Sequence, residues 1–237
     1  MFECDKLIEN FSKYYYTPLL MLIVEATALV IAIIYIRKTK IGKVFIFYIA
    51  FDFCILIIDC FLMSYPGISQ KFISYFQDTT NTLIAYIELL VYFYFFRKIL
   101  EGNKIKKNLT RLVVIYSVVI IIFFTTKFGF VTNRYGYIAY ITGAIEFIFL
   151  LVPCVYYFLH LFKSNSLLRL TDRPSFWIVT GIFFFSLISI PYYLLSRYFF
   201  STQYEFRLFN AVFYYIPFTA NFIFLIKAFS CKKPLTT

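Results

Sequence analysis

Seven apolar runs, each about 20 residues long and so long enough to cross roughly 30 Å of hydrocarbon as a helix, follow one another through this chain. They constrain its fold more than any other feature. Backbone N–H and C=O groups in lipid find no water, so each run must satisfy its own hydrogen bonds, which only a helix does within one segment. The runs cover approximately Thr17 to Ile36, Val44 to Tyr65, Tyr75 to Phe96, Leu112 to Phe130, Tyr137 to Phe162, Trp177 to Phe199 and Leu208 to Phe229. Between them lie turn-forming stretches such as Pro66-Gly67, Glu101-Gly102-Asn103, Thr132-Asn133-Arg134 and Asp172-Arg173-Pro174. No linker is long enough for a second domain. The chain therefore reads as all-α, one transmembrane domain over residues 1–237, a polytopic bundle of seven helices.

Composition agrees. Of the 237 residues 62% are apolar, against about 45–50% in soluble domains. A folded interior of this size cannot hide that much apolar surface, and the remainder would far exceed the patches that soluble monomers tolerate. The natural solvent is a bilayer. The 33 Phe and 22 Tyr residues accompany much Ile, Lys and Asn, a bias that AT-rich codons favour, so the aromatic count is read as a genomic habit.

Lysine and arginine set the expected orientation, because positive loop residues stay on the cytoplasmic side. The stretches from Arg37 to Lys43, Arg97 to Arg111, Lys163 to Arg173 and Lys227 to Lys233 hold sixteen of the 23 positive residues. Alternate loops are enriched, which predicts an odd number of crossings with the N-terminus outside and the C-terminus in the cytoplasm. The first span carries no basic leader or cleavage site and is read as a retained anchor. The expected location is the cell membrane, multi-pass, with a bacterial inner membrane favoured. The net charge of +11 then belongs to topology and to attraction for anionic headgroups. Its scatter over short loops speaks against nucleic acid as a partner.

The informative residues are the acids inside the spans, since a carboxyl near the bilayer centre costs on the order of 3 kcal/mol to insert. Glu25 lies in the first span, Asp52 and Asp59 in the second, Glu88 in the third and Glu146 in the fifth. Asp52 and Asp59 are seven residues apart, nearly two turns, and share a face. In the third span Asp78, Asn81, Ala85 and Glu88 form a second polar arc, expected to face protein. In the seventh, Asn210, Tyr214, Pro217 and Asn221 form a third. Asp52 lies eight residues after Val44 and Glu88 eight before Phe96, so the two are predicted at one depth. Two carboxyls sharing a low-dielectric site cannot both ionise easily, and at least one is expected to hold a proton near neutrality. No lysine or arginine falls at midplane to neutralise them. The acids are thus either polar glue between helices, at about 0.6 kcal/mol per hydrogen bond, or the lining of a cavity for a proton, a cation or a polar ligand.

Other features are assigned plainer roles. Pro153, Pro191 and Pro217 fall in the last three helices and are expected to kink them. Tyr92 to Phe96, followed by Arg97 and Lys98, reads as an interfacial aromatic belt with a positive anchor. His160 reads as interfacial. Five cysteines without a CxxC pair and a single histidine give no disulfide framework and no metal site. No GxSxG, HExxH, GxGD or P-loop pattern occurs, so no catalytic residue and no cofactor is assigned. An aspartate-based hydrolase using Asp52 with Asp59 or Glu88 is the one enzyme chemistry the residues leave open.

The stretch Asn81-Thr82-Leu83-Ile84-Ala85-Tyr86-Ile87-Glu88-Leu89-Leu90 with Tyr92, and the stretch Phe213-Tyr214-Tyr215-Ile216 through Asn221, resemble small seven-helix membrane proteins of Bacteroidota. The resemblance implies a membrane-embedded, non-enzymatic component working with a signalling partner, and brings no site residues. Rhodopsin-like receptors fit poorly, because Phe96-Arg97-Lys98 lacks an acid before the arginine. Retinal proteins need a lysine at the middle of the last helix, and Lys227 is too near its end. Two functional expectations follow. In the first, the chain is a sensor or assembly component acting through a membrane or cytoplasmic protein partner, with a homo-oligomer left open. In the second, the polar arcs surround a pathway, and the chain is a proton- or cation-coupled transporter or channel for a small polar solute.

Overall fold

The computed structural model describes residues 16–36, 38–65, 67–129, 135–163, 170–195 and 211–231. Among these residues there is no strand; the elements are seven α-helices, a 3₁₀ turn and a π-helical turn. They are α1 (Tyr16–Tyr35), α2 (Lys40–Ser64), α3 (Gln70–Ile99), α4 (Asn103–Gly129), α5 (Tyr135–Lys163), α6 (Pro174–Leu195) and α7 (Ile216–Phe229). The 3₁₀ turn Leu170–Asp172 precedes α6, and the π turn Ala211–Tyr215 leads into α7. Each α-helix falls on one of the seven apolar runs.

Local chemistry explains the boundaries. Thr39 caps α2, its hydroxyl accepting from the Gly42 amide at 2.9 Å, and Ser69 caps α3 by accepting from the Phe72 amide at 3.3 Å. Gly67 and Gly102 occupy the two inter-helix turns at φ 123° and 102°, a conformation that a Cβ would strain.

Four helical segments are long and apolar enough to cross a membrane: Lys40–Leu62, Thr142–Lys163, Pro174–Leu195 and Val212–Phe229. Leu19–Tyr35 is as apolar but shorter. Helices α3 and α4 are not among the four. Residues 77–82 and Glu88 make the middle of α3 polar, and α4 starts on the basic Asn103-Lys104-Ile105-Lys106-Lys107. The chain is that of an integral membrane protein. Its outer surface agrees: on α1, Leu20, Ile23, Val30 and Ile34 are 51–60% exposed at helical spacing, while Met21, Glu25, Ala28 and Ala32 on the other face are buried. A soluble protein would bury that outer stripe.

Packing order gives the architecture. Helix α1 contacts α2, α2 contacts α3, α3 contacts α5, α5 contacts α6, α6 contacts α7, and α7 returns to α1. Six helices thus close a ring. Helix α4 stands outside it, packed against α3 and α5. Tyr86 on α3 holds it through a 3.0 Å hydrogen bond between its hydroxyl and that of Ser117, and by stacking on Tyr116.

At one end of the ring, Phe45 near the start of α2 meets Tyr92 and Phe95 near the end of α3 and Phe229 at the end of α7, with centroids 5.7–6.0 Å apart. The same end carries Lys98 over Tyr94 and Lys227 over the Trp177 ring, so it is the basic end of the bundle. This packing corrects the belt reading of the sequence. Tyr92, Phe93, Phe95 and Phe96 are at most 1% exposed, and only Tyr94 of the run is partly open. Continuous aromatics over more than one helical turn necessarily point both inward and outward, and here the ring closure takes the inward ones as core.

Pro153 and Pro191 lie inside α5 and α6 as predicted, but Pro217 sits in the first turn of α7, directly after the π turn. Its missing N–H and its ring against the preceding carbonyl are relieved by widening the preceding turn rather than by a kink within the helix.

At Gly181 α6 and α7 approach tightly: a Cβ there would meet the Phe224 Cβ at 2.8 Å and the Asn221 Oδ1 at 2.9 Å. Gly181→Ala is expected to lower stability by about 1–3 kcal/mol, the usual cost of overpacking. An SDS-unfolding titration checks it, and an unchanged midpoint would show that α7 yields freely.

Candidate functional site

A partly open cavity lies inside the helix ring. Helix α1 contributes Met21 and Glu25; α2 contributes Asp52, Ile55, Leu56 and Asp59; α3 contributes Asn81, Ile84, Ala85 and Glu88. Glu146 and Phe147 come from α5, Phe185 and Tyr193 from α6, Tyr214 from the π turn and Phe218 from α7. All six ring helices line it, and α4 gives no described residue to it.

Each acid is positioned by simple helical spacing. Glu25 lies three residues before Ala28 and seven before Ala32, both fully buried, on the face of α1 that contacts α2 and α7. Asp52 lies four residues after Tyr48, and Glu88 four before Tyr92; these tyrosines are buried and in edge contact at 6.1 Å. Hence α2 and α3 bring both acids into the ring at one level. Glu88 also faces Glu146 across the α3–α5 contact, while Asp52 stands within electrostatic reach of Glu25, Asp59 and Glu88. The result is a row of carboxyls running Glu25, Asp52, Glu88, Glu146 across four helices.

Burial along the cavity is graded. Glu25 and Glu146 are 1% exposed, Asp52 and Glu88 5%. Asp59, two turns further from the basic end, is half-buried, and Asn81 is exposed. Asn81 was predicted as a buried polar residue; it lines the cavity, but on the turn of α3 nearer the open end, where its amide reaches the surface. The mouth therefore lies on the side of Asp59 and Asn81, and the row of acids at the bottom.

The acids are under-satisfied. Both carboxyl oxygens of Glu25, and one each of Asp52, Asp59, Glu88 and Glu146, are buried without a hydrogen-bond partner. Lysine, arginine and histidine are absent from the described lining. Polar glue would show these oxygens bonded to neighbouring helices. Carboxyls aimed into a shared space instead are suited to meet a positively charged group or to carry protons.

Beneath the acids lies a floor. The Asn221 amide donates to the Tyr92 hydroxyl at 3.1 Å, and Phe45, Tyr48, Tyr92 and Phe229 close around that bond. Asn221 thus belongs to the floor and not to the cavity wall. Asn210 lies outside the described residues, and Asp78 is on α3 with its side chain outside the described set. His160 is exposed at the end of α5.

Sequence reasoning missed Tyr48, Tyr92 and the aromatic wall of Phe147, Phe185, Tyr193 and Phe218. A signal existed for some of them. Tyr48 and Tyr92 stand one helical turn from Asp52 and Glu88, and Phe147 is next to Glu146. Phe185 and Tyr193 had none, because α6 bears no acid. No protein-family model, curated protein or solved structure matches this chain.

Proposed function

We propose that this protein crosses the membrane seven times, N-terminus outside and C-terminus cytoplasmic, and that its ring is a cation-accepting chamber for proton- or cation-coupled movement of a small polar solute. The observation that carries this reading is the cavity itself. It gathers Glu25, Asp52, Asp59, Glu88 and Glu146, lacks a basic side chain among its described lining, and opens toward Asp59 and Asn81. A positive partner arriving from that side lowers the cost of holding carboxylates at this depth, which is about 3 kcal/mol each for an unpaired group. The basic end, with its Lys and Arg clusters, is the cytoplasmic side on this reading, so the mouth faces outward and the aromatic floor separates chamber from cytoplasm.

The floor favours a second reading on the same site: a sensor that binds the cation and passes its occupancy to a partner protein in the membrane or cytoplasm. Vesicles distinguish the two. Protein reconstituted with a trapped pH indicator is expected to move protons when a cation gradient is imposed across the membrane. Saturable cation binding without any flux would establish the sensor and sink the transporter. Absence of both would sink the chamber altogether.

A further inference from the structure

The chamber has two walls of different chemistry, and together they select among cations. One wall is the row of carboxyls. The other is aromatic: Phe147 and Phe185 meet edge to face at 5.0 Å, Phe147 contacts Tyr193 at 5.5 Å, and Phe185 contacts Phe218 at 5.9 Å, which stacks with Tyr214 at 6.0 Å. These five rings border the same space as the acids.

A bare metal ion needs several oxygens converging on one point at about 2.0–2.6 Å. Among the described residues no three acidic, cysteine or histidine side chains come together in that way. The carboxyls are strung out across α1, α2, α3 and α5, and aromatic rings are poor ligands for small hard ions. An alkylammonium group matches better. Its N–H groups donate to separate carboxylate oxygens, its charge is attracted to ring faces within about 6 Å, and its carbon chain is content against Met21, Ile55 and Ile84.

We infer that the ligand of this chamber is a small organic cation, an amine or diamine, held between the carboxyls of Glu25, Asp52, Glu88 and Glu146 and the rings of α5, α6 and α7. The inference rests on the chamber reading above and adds the ligand class. The Glu25 carboxyl is buried at 1% exposure, lines the cavity and has neither oxygen bonded, so it is aimed unpartnered into the space between the two walls. The π turn at Ala211–Tyr215 points the same way, since such turns concentrate at functional sites, and this one carries Tyr214 into the wall.

The test is titration calorimetry on the full-length protein in lipid nanodiscs. The panel is 1,4-diaminobutane, tetramethylammonium, sodium, calcium and the uncharged 1,4-butanediol. Saturable binding of 1,4-diaminobutane, with none of the diol, is the expected result. Phe218→Leu is expected to weaken the diamine about 3- to 30-fold, the span of desolvated cation–π contacts, and Glu25→Gln to weaken it further, both variants remaining monodisperse. Calcium or sodium binding in preference to the amines would overturn the ligand class while leaving a cation chamber in place. Equal binding of diamine and diol would overturn it too. If no cation binds and vesicles show no cation-driven proton movement, the chamber reading itself falls.

Discussion

Asp52→Asn combined with Glu88→Gln is expected to cut cation-driven proton movement in vesicles at least about 100-fold, with the protein still folded. The magnitude follows from removing charge where it is least screened: truncating one side of a buried charge contact costs about 2–5 kcal/mol, and 1.4 kcal/mol is one decade. Both residues are 5% exposed at the bottom of the cavity, and each has a buried oxygen without a partner. An amide keeps the size and most of the hydrogen-bonding capacity of the acid but neither binds a proton near neutrality nor attracts a cation. Stability separates this from the glue reading. If the carboxyls tie helices together, replacing both residues by alanine, which unlike the amides breaks those bonds, lowers the SDS-unfolding midpoint. If they are held unpaired for a ligand, neutralising them removes a desolvation cost, and the midpoint stays level or rises. Flux retained within a few-fold of wild type, in vesicles carrying equal amounts of protein, would defeat the transport mechanism.

The helices were legible in the sequence because hydropathy is local: an apolar run of sufficient length reports on itself without reference to the rest of the chain. The acids were legible for a related reason. Each is an anomaly against its own surroundings, and Glu25, Asp52, Asp59, Glu88 and Glu146 all reach the same cavity. What could not be read is neighbourhood. Nothing in the sequence says that α3 packs on α5 as well as on α4, and that added contact puts Glu146 opposite Glu88 and leaves α4 at the periphery. Aromatic residues failed for the opposite reason to the acids. In lipid a Phe facing outward and a Phe facing inward are equally at ease, so the run from Tyr92 to Phe96 carries no sign of which it is. Only closure of the ring, with Phe45 and Phe229 against that run, makes it core. Asn81 went astray along the helix axis rather than around it. Its face was assigned to the cavity and does line it, but its depth leaves it exposed.

Tyr92→Ala is expected to make vesicles leak protons, collapsing an imposed pH gradient about 10-fold faster or more with no cation gradient present. Tyr92 is fully buried, packs against Phe45 and Tyr48, and accepts from Asn221 a side-chain hydrogen bond that joins α3 to α7. Removing the ring deletes the centre of the floor. Part of the void will collapse, since Phe→Ala-type truncations cost about 3–5 kcal/mol and relax incompletely, but what remains adjoins carboxyls above it and polar groups at Tyr48 and Asn221. A void lined by polar atoms holds water, unlike an apolar one, so the truncation joins the chamber to the basic end by a hydrated path. Tyr92→Phe is the control: it keeps the ring and loses only the hydroxyl, at a cost of about 0.6 kcal/mol for one interhelical bond in a membrane, and should leave the gradient nearly as tight as wild type. A leak of equal size in both variants would mean that the hydrogen bond, and not the bulk of the ring, closes the floor. A tight membrane with Tyr92→Ala, at normal protein content and an unchanged oligomeric profile, would mean that the chamber is sealed elsewhere and that the aromatic layer is only packing.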